Sequence, residues 1–165
     1  MVASVDERSD VKLGLAIDML RSVGEARLAV SGGSMLPSLW PGDILEIHRV
    51  AVTDISKGDI VVFARENRLI VHRVLRMNGE SDDVACTLTT RGDRSARVDA
   101  PVSVNELLGR VRTIQRSNRN ILPRMTLSTQ IASWILRRSE LLTRLLLHLA
   151  LVRRNSLSPE RAWAS

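Results

Sequence analysis

The sequence predicts a small, mainly antiparallel β body with one helix before it and one after it. Between residues 26 and 115, short segments alternate apolar and polar side chains with the period of two that is typical of half-buried strands. Clusters of Gly, Pro, Asn and Asp separate these segments, as tight turns do. We therefore expect an N-terminal helical segment at 1–25, a β domain at 26–115, and a basic linker with an amphipathic helix at 116–165.

Both predicted helices rest on apolar residues that recur at steps of three and four. The first helix covers residues 10–23, where Asp10 is suited to cap the start and Gly24 to end it. The second helix follows Met125 and has arginines between its apolar residues, which makes it a basic amphipathic helix. Its apolar residues are Ile131, Ile135, Leu142, Leu145, Leu146 and Leu149.

The β body is predicted to contain six strands. They are residues 27–31, 43–50, 59–65, 68–77, 84–90 and 108–114. Glu66 and Asn67 lie between the third and fourth of these, which predicts a hairpin. Residues 79–83 are predicted to form a turn, and residues 98–104 a loop.

Positive charge is concentrated in the last third of the chain. Residues 1–109 hold 13 basic and 16 acidic side chains, whereas residues 110–165 hold 11 basic and 2 acidic ones, a net charge of +9. This excess, together with the leucine-rich helix, indicates an anionic membrane surface as one partner. A helix that packs against protein, or a basic tail that only solubilises the chain, explains the same pattern.

Several function classes are disfavoured by composition. Cys86 is the only cysteine, which excludes an intrachain disulfide and a multi-cysteine metal site. Aromatic residues make up 2% of the chain, so base stacking on nucleic acid is disfavoured and no specific nucleic-acid partner is expected. No cofactor or metal is expected either.

The first 30 residues are acidic rather than signal-like, and no apolar run reaches the roughly 20 residues of a membrane span. We expect a cytoplasmic chain, free or peripheral on the membrane.

Ser34 lies in the segment SGGSMLPSLWPGD and is the candidate nucleophile. The Gly32–Gly33 pair gives the backbone conformational freedom and lets peptide N–H groups approach the hydroxyl, as an oxyanion hole requires. Met35 and Leu36 are expected to form the apolar floor of a substrate cleft, and Pro37 to stiffen the segment. The competing interpretation is an ordinary solvated loop serine.

A serine hydroxyl needs a base, and His72 is the strongest candidate. It lies within LIVHRVL, where alternation puts it on the same face as Ile70 and Val74. A hydrogen-bonded core histidine is the competing interpretation. His48 is predicted to be a surface residue, and His148 a packing or interface residue of the leucine-rich helix.

Four segments in this order carry a family resemblance: GGSMLPSLWPGD, KGDIVVFARENRLIVHRVL, LTTRGDRSARVDAPV and LLGRV. Residues 27–114 resemble the signal peptidase superfamily, which includes the LexA-type self-cleaving repressors. The resemblance implies a partly closed β body, a nucleophile at Ser34, and a base at His72 on the hairpin. Bacterial signal peptidases and LexA-type proteins have lysine at the base position. The histidine here resembles the archaeal and endoplasmic-reticulum signal peptidases.

In the histidine subtype an aspartate completes the site. The resemblance places Asp99 first in this role and Asp93 second, with a turn residue as the competing interpretation of Asp93. Many relatives carry a hydroxyl donor two residues before the nucleophile, where this chain has Gly32. Membrane signal peptidases also begin with a spanning helix that the first residues here do not resemble.

The resemblance implies a serine endopeptidase that cleaves leader or signal peptides by Ser-His-Asp acyl transfer, with a peptide or preprotein as its substrate. Two alternatives stay open. A LexA-like self-cleaving regulator would need a DNA-binding unit, for which the residues before Ser34 are too few. A catalytically silent module would hold extended peptides by strand addition.

Overall fold

The structure is a computed structural model that describes residues 7–79, 86–123 and His148. Over these residues the chain forms one α-helix, one short 3-10 turn and eight strands. In chain order these are α1 (Glu7–Ser22), β1 (Glu25–Ala29), β2 (Ile44–His48), the 3-10 turn (Val52–Asp54), β3 (Ile60–Arg65), β4 (Arg68–Asn78), β5 (Thr87–Arg91), β6 (Val102–Ser103), β7 (Leu107–Arg116) and β8 (Arg119–Ile121). No helix among the described residues is long and apolar enough to cross a membrane.

All strands join one antiparallel sheet in the order β1-β2-β7-β3-β4-β5-β6, and β8 pairs with the end of β7. The predicted fold class, a mainly antiparallel β body preceded by a helix, is confirmed. The sheet is not closed, because β1 and β6 lie at opposite ends of the strand order. The end strand β6 contributes two residues to the pairing with β5.

The core lies on both faces of the sheet, because the central strand β3 is covered on each side. Ile60 and Val62 of β3 join one apolar cluster, to which α1 contributes Leu20. Val61 and Phe63 face the other way and join a second cluster under β5 and β6. This is why β3 is an unbroken apolar run rather than an alternating one.

The β3–β4 hairpin forms where the sequence predicts it. Glu66 and Asn67 have φ values of 50° and 57°, the left-handed conformation that a two-residue hairpin turn requires. Ser117 and Asn118 form a second turn of this kind between β7 and β8, at φ 46° and 65°. The last strand therefore runs beyond the predicted 108–114.

Other boundaries differ by a few residues. The helix begins at Glu7 rather than residue 10, β1 begins at Glu25 rather than residue 27, and β6 lies inside the predicted loop 98–104. The predicted C-terminal helix lies outside the described residues except for His148, which is helical and exposed. Most of the turn predicted at 79–83 also lies outside them.

Candidate active site

Ser34 lies in the loop between β1 and β2, with its side chain exposed. The loop is anchored on each side of the serine. The Leu36 N–H donates to the Gly33 carbonyl, and the Leu39 N–H donates to the Met35 carbonyl. Ser34 is thereby held at the surface while the residues after it turn into the core.

Met35 and Leu36 do not form an open cleft floor. They are only 2% and 0% exposed, and Met35 packs in the cluster that contains Leu20 of α1. Side chains this deeply buried hold the loop in place and offer no surface to a substrate. Pro37 is partly exposed, so its ring remains accessible to a substrate near Ser34.

His72 lies in the middle of β4, opposite Val61 of β3. Ile70 and Val74 pack in the same cluster, as the predicted alternation requires. The imidazole meets the Phe63 ring edge to face, with 6.3 Å between ring centroids. The imidazole of His72 thus packs against an apolar side chain on one side, and its two ring nitrogens are left to make the polar contacts of the site.

The Oγ of Ser34 lies 3.2 Å from Nε2 of His72. The other ring nitrogen, Nδ1, lies 2.6 Å from Oδ2 of Asp99. An ionised carboxylate only accepts hydrogen bonds, so Nδ1 carries a proton. In the neutral ring Nε2 is then free to accept the serine proton, which is the arrangement of a Ser-His-Asp triad.

Asp93 is not brought to His72. Its two carboxylate oxygens lie 2.8 and 2.7 Å from Nε and Nη2 of Arg73, and the Ser38 hydroxyl donates to one of them. Arg73 is the residue after the candidate base, so its side chain leaves β4 on the opposite face. Asp93 therefore lies in a separate buried ion pair.

The sequence profile of the family described as Peptidase S24-like matches residues 4–84. This range holds both Ser34 and His72, which the fold brings within 3.2 Å. The match supports the LexA/S24 serine peptidase superfamily for this chain. It indicates a serine peptidase or a LexA-like self-cleaving fold. The match ends before Asp93 and Asp99, so the assignment of the aspartate depends on geometry.

Gly92 is a site residue that sequence reasoning missed in this S24-like chain. A Cβ there would lie 2.7 Å from the Ser34 carbonyl oxygen and 3.0 Å from Nε2 of His72. The backbone after β5 thus passes directly beside Ser34, and the Arg94 N–H donates to the Ser34 carbonyl at 2.9 Å. The glycine of the Arg91-Gly92-Asp93 turn was the available signal, but sequence alone does not show what the turn approaches.

The three Gly-Asp pairs quoted for the resemblance share one structural role. Each aspartate pairs with an arginine of the sheet, and the pairs are Asp43 with Arg116, Asp59 with Arg110, and Asp93 with Arg73. Gly42 and Gly58 have φ values of 95° and 97°, which only glycine adopts without strain. The pattern thus encodes turns fastened to strands β4 and β7.

The candidate oxyanion donors lie in the backbone. Gly32 is exposed and brings no hydroxyl to the position where many relatives have one. Among the described residues, no group accepts a hydrogen bond from the Ser34 N–H, which leaves this donor available to a developing oxyanion.

Within the described residues, no group of three or more His, Cys, Asp or Glu side chains could hold a metal ion.

A second ion pair holds the loop that carries Asp99. Arg65 at the end of β3 binds Glu106 through two hydrogen bonds of 2.6 and 2.9 Å. It also donates to the carbonyls of Ala100 and Pro101, directly after Asp99. The hydrogen bonds from Arg65 lower the pKa of Glu106 to about 2, although partial burial opposes this shift.

Proposed function

We propose that this chain is a serine endopeptidase that cleaves leader or signal peptides by acyl transfer, with Ser34 as nucleophile, His72 as general base and Asp99 as its orienting partner. The observation that carries the proposal is the continuous chain of contacts from Ser34 Oγ through the imidazole to Asp99, at 3.2 and 2.6 Å. The first of these contacts joins two residues that are 38 positions apart in the sequence.

The reaction proceeds in two halves. Ser34 Oγ bonds to the carbonyl carbon of the scissile peptide while Nε2 of His72 takes the hydroxyl proton. Asp99 stabilises the imidazolium, and the Ser34 N–H binds the oxyanion. The C–N bond then breaks as Nε2 returns the proton to the leaving amine. Water then attacks the ester carbon while the same nitrogen takes its proton; the C–O bond to Ser34 breaks, and Nε2 returns the proton to Oγ.

The substrate class rests on the subtype. A histidine base on the hairpin resembles the archaeal and endoplasmic-reticulum signal peptidases rather than the lysine enzymes. The exposed position of Ser34 suits a peptide that arrives in an extended conformation, since the loop leaves the hydroxyl open to solvent. Gly32 has no side chain that could donate a hydrogen bond to the oxyanion. Efficient turnover therefore depends on backbone N–H donors at this position.

The test is hydrolysis of a peptide with small residues at the cleaved position. We expect turnover that is lost in Ser34→Ala and in His72→Ala, each by about 10³-fold or more. Ser56→Ala, in an exposed turn, and His48→Asn, on β2, are the matched controls and keep full activity. Hydrolysis that survives Ser34→Ala, or binding without turnover, contradicts the proposal.

Self-cleavage is the second candidate, because the Peptidase S24-like match also suggests a LexA-like self-cleaving fold. The purified chain incubated alone distinguishes it from cleavage of other peptides. Intramolecular cleavage has a rate independent of protein concentration and is lost in Ser34→Ala. A Ser34→Ala chain that is cut only when wild-type protein is added indicates an endopeptidase that acts on other molecules.

We also propose an anionic membrane surface as the partner of the basic C-terminal third. The net charge of +9 over residues 110–165 supports it, since each basic residue near an anionic surface adds about 1 kcal/mol of attraction. Full-length protein is expected to float with anionic vesicles and to remain unbound with neutral ones. Recovery in the unbound fraction with both contradicts this partner.

A further inference from the structure

Thr90 contacts Asp99 twice. It is the fourth residue of β5, pairs with Val74 of β4, and is completely buried. Its Oγ1 lies 2.7 Å from Oδ2 of Asp99, the same oxygen that takes Nδ1 of His72. Its carbonyl also accepts the Asp99 N–H at 3.0 Å.

The direction of the side-chain contact follows from chemistry. An ionised carboxylate has no proton to give, so the Thr90 hydroxyl donates to Asp99. Oδ2 then accepts two hydrogen bonds, one from a hydroxyl fixed in the sheet and one from the imidazole. Hydrogen bonds to an ionised acceptor are stronger and shorter than neutral ones, so the pair of donors fixes the plane of the carboxylate.

The surroundings of Asp99 show why such a donor matters. Its side chain is 22% exposed and it lies in the loop before β6, with the half-exposed Val98 on one side and the exposed Ala100 on the other. Arg65 holds the backbone after Asp99, through Ala100 and Pro101, but not the carboxylate itself. Apart from His72, the Thr90 hydroxyl is the side-chain group among the described residues that bonds the carboxylate.

We propose that Thr90 is a positioning residue of the peptidase: its hydroxyl holds the Asp99 carboxylate in the orientation that keeps Nδ1 of His72 protonated and Nε2 directed at Ser34. The inference rests on the proposed function. Without the hydroxyl the carboxylate is free to rotate about its side chain, and the imidazole loses the fixed partner that defines its orientation.

Kinetics provide the first test. Thr90→Val removes the hydroxyl at nearly constant volume and is expected to lower kcat by roughly 10²-fold with KM changed less than about twofold, because misplaced catalytic groups cost this much. Thr90→Ser keeps the hydroxyl and restores most of kcat. Thr89→Val is the matched control on the adjacent position, where the hydroxyl contacts Arg76 and Asn78, and keeps full activity.

Thr90→Ala guards against a folding defect in the valine variant, because it differs from Thr90→Ser by one oxygen atom. Equal kcat in the serine and alanine variants, or wild-type kcat in both valine and alanine variants, overturns the proposal.

A proton NMR measurement separates this inference from the proposed function. In the Ser34→Ala chain, which needs no turnover, the Nδ1 proton of His72 is expected to give a sharp downfield resonance. Adding Thr90→Val is expected to broaden it or move it upfield, and adding Thr90→Ser to leave it unchanged. If peptide hydrolysis fails but these shifts occur, the positioning role stands without the peptidase. An unchanged resonance in the valine variant overturns the role.

Discussion

Arg73 and Asp93 are joined by two parallel hydrogen bonds, and their side chains are among the most deeply buried charged groups of the described chain, each 3% exposed. Arg73 follows His72 on β4, and Asp93 follows Gly92 in the turn beside Ser34. Arg73 also donates to the Ser38 hydroxyl in the nucleophile loop. One buried pair therefore connects the three segments that hold the catalytic candidates.

Asp93→Asn is expected to lower the free energy of unfolding by about 3–5 kcal/mol, because it leaves a buried guanidinium without its counter-charge. Urea unfolding measures the loss. Asp99→Asn is the matched control: among the described residues its carboxylate forms no ion pair with an arginine, so we expect a smaller loss of stability and a much larger loss of peptide hydrolysis. Asp99→Asn as the more destabilising change would contradict the separation of the two aspartates into structural and catalytic roles.

The same two aspartates show where sequence reasoning reached its limit. His72 and its face could be predicted because β4 alternates, and the hairpin turn is local to Glu66 and Asn67. Asp99 lies in a loop without periodicity, so only the family resemblance indicated it.

Gly92 and Thr90 were missed because their roles depend on groups far away in the sequence, which no local pattern records. Strand β8 was missed for a different reason. All three of its residues are exposed, so it has no alternation of apolar and polar side chains to read.

Gly92→Ala is expected to move Ser34 away from His72. The new Cβ would lie 2.7 Å from the Ser34 carbonyl oxygen, a contact that forces the backbone apart, and 3.0 Å from Nε2 of His72. A displacement of about 1 Å costs roughly 10²-fold in rate, so we expect at least this loss of peptide hydrolysis. Gly14→Ala in α1 is the control, since a Cβ there has nothing within 4 Å. Wild-type turnover in Gly92→Ala would contradict the close approach of the Gly92 backbone to Ser34 and His72.

The Arg65–Glu106 pair predicts a loss of stability at acid pH. The folded pKa of Glu106 is about 2, below its ordinary value of 4.5. The stabilisation is therefore complete above pH 4.5 and is lost as the pH falls towards 2. Urea unfolding measures the difference in unfolding free energy between wild type and Glu106→Gln. This difference should be constant above pH 4.5 and shrink as the pH falls from 4.5 towards 2. Glu66→Gln, at an exposed turn, is the control; a wild-type advantage that persists to pH 2 contradicts the assignment.

The three Gly-Asp turns predict a graded series of stability losses. Asp43 is 3% exposed and binds both Arg116 and the Trp40 N–H, but the side chain of Arg116 is 28% exposed. The side chains of Asp59 and Arg110 are both partly exposed, at 28% and 36%.

Since solvent weakens an ion pair and lets an unpaired charge hydrate, the loss on aspartate-to-asparagine substitution should fall with exposure. We expect the largest loss for Asp93→Asn, an intermediate loss for Asp43→Asn, and about 0–1 kcal/mol for Asp59→Asn. Urea unfolding of the three single variants, under one set of conditions, gives the ranking. The three Gly-Asp turns share their turn geometry but differ in how deeply their ion pairs are buried. Equal losses at all three turns would therefore mean that turn geometry outweighs the burial of the charges.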